Sequence, residues 1–404
     1  MAITINGSSG ITFPDSSVLA SGNVGTSWQS VKTANFTAVA GEGYPINTTS
    51  GSVTVTMPSS PSAGDTVEFI DYAETFGDNA VVLTSSDNIN SSSNNSNLSD
   101  SKGYYAATYI DATIGWRVTK QGENFSAYPV DFLIIAGGGG TFNAYSDFIA
   151  GGGAGAGGYL ASYNSESSGD SSASLASLQL KKGTEYTVTV GAGGAGYQAG
   201  SDSDINISTV PLITAIGGGW TFNTTQPTGG SGGGGTASGE GALARAPGSG
   251  TIYQGGDGGI GVYTNGTTTA GGGGGGASGD GGDASGTVAG NGANGLASTI
   301  TGSSVTRGGG GGGGSNSGTA GTGGTGGGGN GANGAYVGSN GTANTGGGAG
   351  GSGHRAGGAQ GGSGVVILRM ATANYSGTTT GSPTVTTDGS DTILTFNATG
   401  SYTA

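Results

Sequence analysis

Apolar and polar residues alternate along much of this chain, and the period is two. In GSVTVTMP, Val53, Val55 and Met57 fall on one face of an extended segment, and Thr54 and Thr56 on the other. That is the pattern of a half-buried β-strand. DTVEFID, NAVVLTS, YYAATYID and GWRVTK add further short strands. Turn signals at Pro58, Pro61 to Gly64, Gly77-Asp78 and the polar tract from Ser85 to Ser101 separate them. Residues 27–120 therefore predict a β-sandwich-like domain, or a unit that shares its core with copies of itself. Residues 1–26 read as an extended lead with turns at Gly7, Gly10 and Pro14, and residues 121–129 as a linker.

A second set of strands is bound to glycine. VDFLIIAGGGG is an apolar strand that runs straight into a glycine tract. TEYTVTVGAGGAG alternates at Tyr186, Val188 and Val190 and then does the same. GGSGVVILRM leaves glycine for a strand, and the tail 371–404 carries two more alternating runs, PTVTT and DTILTFNA. Those tail strands are expected to pack on the glycine-rich part.

Composition sharpens this picture. Glycine supplies 96 of 404 residues, and it is costly in a helix by about 1 kcal/mol per position relative to alanine. A helical protein is excluded. Residues 1–130 hold 12 glycines, residues 131–370 hold 80, and residues 371–404 hold four. Three readings compete for the glycine-dominated middle. Disorder is the default for Gly/Ser-rich sequence. Collagen fails, because no strict Gly-X-Y period holds and proline is sparse. The third reading is a lattice of polyglycine II helices, with three residues per turn and no internal hydrogen bonds. Every N–H and C=O then points outward to a neighbour, and glycine lets the backbones approach. Each ordered residue costs about 1–2 kcal/mol of backbone entropy. Each net hydrogen bond returns only about 0.5–1.5 kcal/mol. A lattice needs apolar anchors, and the strands ending at Ala136, Val190 and Leu368 supply them. The expected fold is thus an all-β N-terminal domain followed by a polyglycine II sandwich over 130–370, flanked by short β-strands. Residues with side chains are expected on the outward turns of edge helices, and larger ones in the connecting segments.

Charge and chemistry narrow the function. The net charge is −14, from 10 Lys+Arg against 24 Asp+Glu, which opposes nucleic-acid binding. No apolar run approaches a membrane span, and MAITINGSSG has neither a basic start nor an apolar run, so neither membrane insertion nor a secretory signal is expected. With no cysteine and a single histidine, His354, disulfides, thiolate metal sites and histidine clusters are excluded. Gly191 to Gly196 matches G-x-G-x-x-G, but the following YQAGSDSD does not form the helix a dinucleotide site requires. Asp202, Asp204 and Asn206 resemble the start of a calcium loop, without its glycine or closing glutamate. Asp257, Asp280 and Asp283 show no repeat and read as solubilising. No catalytic residue, cofactor or metal is expected. Trp220, Phe222, Tyr253, Tyr263 and Tyr336 are aromatics in or near connecting segments, where they could stack on sugars, anchor in a protein receptor, or cap the lattice ends. His354 and Arg355 sit in the connecting segment GHRAGG. Phe142, Tyr145 and Phe148 could pack on the flanking strands.

In order, VDFLIIAGGGG, GGGAGAGGYL, YTVTVGAGGAG and GGSGVVILRM resemble the glycine-rich domain of bacteriophage tail fibres. The opening GITFPDSSVLASG is similar to lead segments of phage fibres, and residues 28–79 to a β-domain recurrent in them. The resemblance implies a virion tail fibre, made in the host cytoplasm, docked by its N-terminus on a phage tail or baseplate protein. It also implies a homotrimer, and an adhesin-like glycine-rich domain whose loops bind a host surface polysaccharide or outer-membrane protein. On that reading Trp220, Phe222, Tyr253, Tyr263, Tyr336, His354 and Arg355 are the receptor-binding candidates. The competing expectations are a fibre-borne polysaccharide hydrolase, which needs two facing carboxylates, and a purely structural spacer.

Overall fold

The computed structural model describes residues 4–6, 10–12, 18–19, 26–123, 127–142, 149–208, 210–221, 228–238, 243–244, 246–264 and 268–404. They form two compact units, Met1–Ser126 and Ala127–Ala404. The described residues contain strands and two short 3-10 turns, and no α-helix. The expected all-β class with essentially no α-helix therefore holds.

In the first unit a small antiparallel sheet joins Thr4–Asn6, Gly10–Thr12 and Val18–Leu19. Two larger sheets then enclose one core. Strands Phe36–Thr37, Thr54–Thr56 and Val81–Thr84 pair in parallel in one sheet. Ser27–Trp28, Glu42–Ile46 and Thr66–Asp71 pair in parallel in the other. The chain coils from sheet to sheet, so parallel neighbours need no crossover helix: the opposite sheet is the crossover. Antiparallel strands Ser96–Leu98, Gly103–Tyr109 and Trp116–Glu123 complete the sheets. The period-two residues Val53, Val55 and Met57 are buried with Phe69, Phe76 and Trp116.

The second unit is built on a sandwich of two antiparallel sheets. One runs in the order Tyr159–Ala161, Ala127–Ile135, Val365–Ala371, Asp391–Phe396, Thr384–Asp388, with Leu178–Lys181 also on Ala127–Ile135. The other runs Val210–Ala215, Ser203–Ile207, Glu185–Thr189, Gly400–Thr403, Thr378–Thr380. Between them Val130, Phe132, Ile134, Val366, Leu368, Val188, Ile205 and Phe396 pack, and the hydroxyls of Tyr128 and Tyr402 meet at 2.6 Å. The expected linker 121–129 is strand at both ends. Residues up to Glu123 close the first unit's sheet, and Ala127–Val130 pair with Leu178–Lys181. Tyr128 and Val130 are buried, so this stretch supplies core rather than spacing.

The glycine tracts extend from the ends of these strands as straight rods. Rod 151–158 shows the rule. Its N–H groups at 151, 154 and 157 donate to 352, 349 and 346; those at 155 and 158 to 219 and 216; those at 153 and 156 to 272 and 275. Its carbonyls accept from 314 and 311, from 234 and 231, and from 139 and 136. Every third residue faces the same neighbour, as three residues per turn require. One donor and one acceptor per residue then reach three neighbours each, and the rod sits inside a ring of six others. This is a polyglycine II lattice. The glycine requirement is plain at Gly153, where a Cβ would lie 2.0 Å from the carbonyl oxygen of Gly311. One expectation is corrected. Ala154 and Ala156 lie in this enclosed rod and are fully buried. Ala154, Ala349 and Ala359 cluster, so a methyl fits where its bond points into a gap between rods rather than at a backbone.

The rim closes differently. Asn291 Oδ1 accepts from Thr322 N–H at 2.8 Å, and Asn294 Oδ1 from Thr325 N–H at 3.0 Å, one turn further on. Asp280 and Asp283 do the same for the N–H groups of Asp257 and Ile260, at 2.8 and 2.7 Å. These carboxylates and carboxamides stand in for the missing outer rod. The reading of Asp257, Asp280 and Asp283 as merely solubilising is corrected accordingly.

Candidate binding surface

The lattice has two ends, and rod direction identifies them. Rod 136–141 leaves strand Ala127–Ile135, so Thr141 marks the end away from the sandwich. Thr141 N–H donates to Ala359, and its hydroxyl to Gly350. Thr221 N–H donates to Gly140, and Phe142 N–H to the Thr221 hydroxyl. Tyr197 N–H donates to Thr141, and its ring meets Phe142 edge-on at 5.9 Å. Gly353 N–H donates to the Tyr336 carbonyl, and Gly334 N–H to that of Ser315. Asn316 exchanges hydrogen bonds with Thr269, which lies opposite Tyr263 in a hairpin. Among the described residues, turns at 196–198, 220–221, 262–264 with 268–270, 285–288, 315–318, 333–337 and 353–356 thus lie at the far end.

Five of the sequence candidates lie on this end. Tyr336 is 74% exposed. Arg355 is exposed and adopts φ +52°, a strained conformation for a residue with a Cβ. Trp220, Tyr263 and His354 are half-buried. Phe222 lies outside the described residues, as do Tyr145 and Phe148. Phe142 is fully buried at this far end, so it packs with Tyr197 rather than on the flanking strands.

Tyr253 is placed elsewhere, which corrects its grouping with the others. Gln254, the next residue, accepts from Tyr159 N–H through its carbonyl and from Ile216 N–H through its side chain. Both are residues at sandwich strand ends. Tyr253 lines a pocket with Ser168, Ser172 and Leu175 at the sandwich end, with φ +66°. The segment carrying it looked like its neighbours because a turn at either end of a rod has the same composition. Sequence reasoning also missed Val288 and Val337, exposed on the far end. An apolar residue isolated among glycines, as in GTVAG, was the available signal.

The chemistry at the sandwich end is structural. Arg369 is buried, pairs with Asp388 and Asp391 at 2.9 Å each, donates to the Ile300 carbonyl, and lies over the Tyr163 ring. Burial pushes the Tyr159 phenol up and the Arg307 guanidinium down. Asp202 accepts from Gly217 N–H, and Asp204 from the Asn206 amide, so the SDSDIN side chains serve the rim and the strand. Residues 191–196 are a rod rather than the opening of a helix. Among the described residues, no group of three or more His, Asp or Glu side chains could hold a metal ion.

Comparison with curated proteins gives no match. The glycine-rich domain family matches residues 118–371, most of the chain, and the chain belongs to that family.

Proposed function

We propose that this chain is a bacteriophage tail fibre. Its first unit fixes it to the tail or baseplate, and its glycine-rich unit presents the far-end turns to a host cell-surface receptor. The chain acts as a homotrimer on this reading. One observation carries the proposal: exposed Tyr336, Val337, Val288 and Arg355 are held by a lattice whose interior rods are bonded on every side. A molecule that orders so much glycine gains little hydrophobic energy from it. Rigid display of turns is a use that such a frame serves well, since binding side chains held still lose less entropy on contact.

The test is adsorption. Host cells preincubated with the purified full chain should adsorb fewer phage, and the Tyr336→Ala chain should block less. Undiminished adsorption in the presence of excess chain would overturn the proposal. Release of reducing sugar ends from host envelope by the chain would replace it with a hydrolase.

A further inference from the structure

We infer that Asn333, on the far-end turn that carries Tyr336, is a site of spontaneous deamidation, and that hydrogen bonds of the lattice shield the other asparagine–glycine pairs from the same reaction.

An asparagine followed by glycine is open to this chemistry because no Cβ hinders the approach of the glycine nitrogen. That nitrogen attacks the asparagine Cγ. Its proton departs with the carboxamide nitrogen as ammonia, and a five-membered imide is left. Water then adds to either imide carbonyl and opens the ring to aspartate or isoaspartate, so a neutral side chain becomes an anion. The sequence holds seven Asn-Gly pairs. Five have both residues described, beginning at Asn291, Asn294, Asn330, Asn333 and Asn340. All five asparagines are exposed, so exposure does not separate them.

Hydrogen bonds do. Asn291 Oδ1 accepts from the Thr322 N–H at 2.8 Å and from its hydroxyl at 3.1 Å, while Gly292 N–H donates to the Thr322 carbonyl at 2.8 Å. One residue thus clasps both reacting groups. Thr325 clasps Asn294 Oδ1 at 3.0 Å and Gly295 N–H at 2.8 Å. Gln360 clasps Asn340 Oδ1 and Gly341 N–H at 2.9 Å each. Asn330 Oδ1 accepts from Gly323 N–H at 2.8 Å, and Gly331 N–H donates to Gly321 at 2.9 Å. Asp280 and Asp283 form the same clasp on Asp257 and Ile260, so it is a recurring element of the rim. Closing the imide ring requires the carboxamide to leave its donors and the glycine N–H to leave its acceptor. At these four asparagines the reaction must therefore wait for a local opening.

Asn333 has no clasp. Gly334 N–H donates to the Ser315 carbonyl at 2.9 Å, but no described residue bonds the Asn333 carboxamide. Gly334 also takes φ +63°, whereas the glycines after the other four asparagines stay out of the left-handed region. The chain leaves the straight rod here, and the side chain is free to swing over the next nitrogen. The product places a carboxylate on the turn that presents exposed Tyr336.

The full chain tests this without any substitution. It is held in mildly alkaline buffer, sampled over days and digested under acidic conditions, and conversion at each asparagine is read by mass spectrometry. Synthetic peptides spanning each pair give the unshielded rates, by which the rates in the chain are divided. On that scale Asn333 should convert about tenfold or more faster than Asn291, Asn294, Asn330 and Asn340, because fewer hydrogen bonds must open. Asn333→Gln should abolish the fast conversion and leave the others unchanged. Equal scaled rates at Asn333 and Asn291, or an Asn333 that stays intact while its peptide converts, would overturn the inference.

Discussion

Gly153 and Gly311 meet backbone to backbone: a Cβ on Gly153 would stand 2.0 Å from the Gly311 carbonyl oxygen. No rotamer relieves that contact, because the obstacle is main chain that is itself bonded to a third rod. Gly153→Ala should therefore destabilise residues 127–404 by about 1–3 kcal/mol or more. At Gly196 the nearest atom to a Cβ is Thr141 O at 3.5 Å, an ordinary contact, so Gly196→Ala should change stability by about 0.5 kcal/mol or less. Urea midpoints of the two variants measure the contrast. Equal midpoints would mean that the interior rods are loosely packed.

Hydrogen exchange reports the lattice bond by bond. The amides of 153–156 should exchange only with large-scale unfolding. Asn291→Ala removes the acceptor of the Thr322 N–H at the exposed rim. Thr322 should then exchange about tenfold faster, while Ala154 stays protected, because water replaces the lost acceptor at modest cost. Fast exchange at Ala154 in the unaltered chain would contradict a rigid frame.

Arg369 ties sheet to hairpin. It binds Asp388, Asp391 and the Ile300 carbonyl, and so links strand Val365–Ala371 to the turn between Leu296–Ser298 and Val305–Arg307. Arg369→Met should cost about 2 kcal/mol, the loss of charge-assisted hydrogen bonds to carboxylates that can rehydrate. Denaturant melts read the loss. The double change with Asp391→Asn should cost less than the sum of the two single changes.

The first unit carries an alkaline transition. Burial and the hydrogen bond to Glu42 push Tyr44 up to about 12, and burial with Glu68 does the same for Tyr104. A phenol whose folded pKa exceeds its unfolded value of 10.0 contributes stability fully present below pH 10. That contribution is lost as the pH rises from there through about 12. Melting temperatures across this window should fall, and Tyr44→Phe should flatten the slope. Phenolate absorbance of the folded chain checks the titration itself.

Much of this molecule was legible locally. The alternation of Val53, Val55 and Met57 marked a strand face, and VDFLIIAGGGG marked a strand that becomes a rod, because both patterns depend on residues adjacent in sequence. The three-residue period also determined which groups of a rod share a direction. The tertiary structure alone decided the partners. Rod 151–158 is surrounded by rods from six other stretches of chain, and a glycine tract carries no side chain to specify which. The identity of the neighbours follows from the sandwich strands that fix where each rod starts, and from rim residues such as Asn291 and Asp283 that seal its outer side. Ala154 at the centre, Tyr253 at the sandwich end and the parallel coil of the first unit have the same cause. Each depends on contacts between residues far apart in sequence, so no local pattern foretold them.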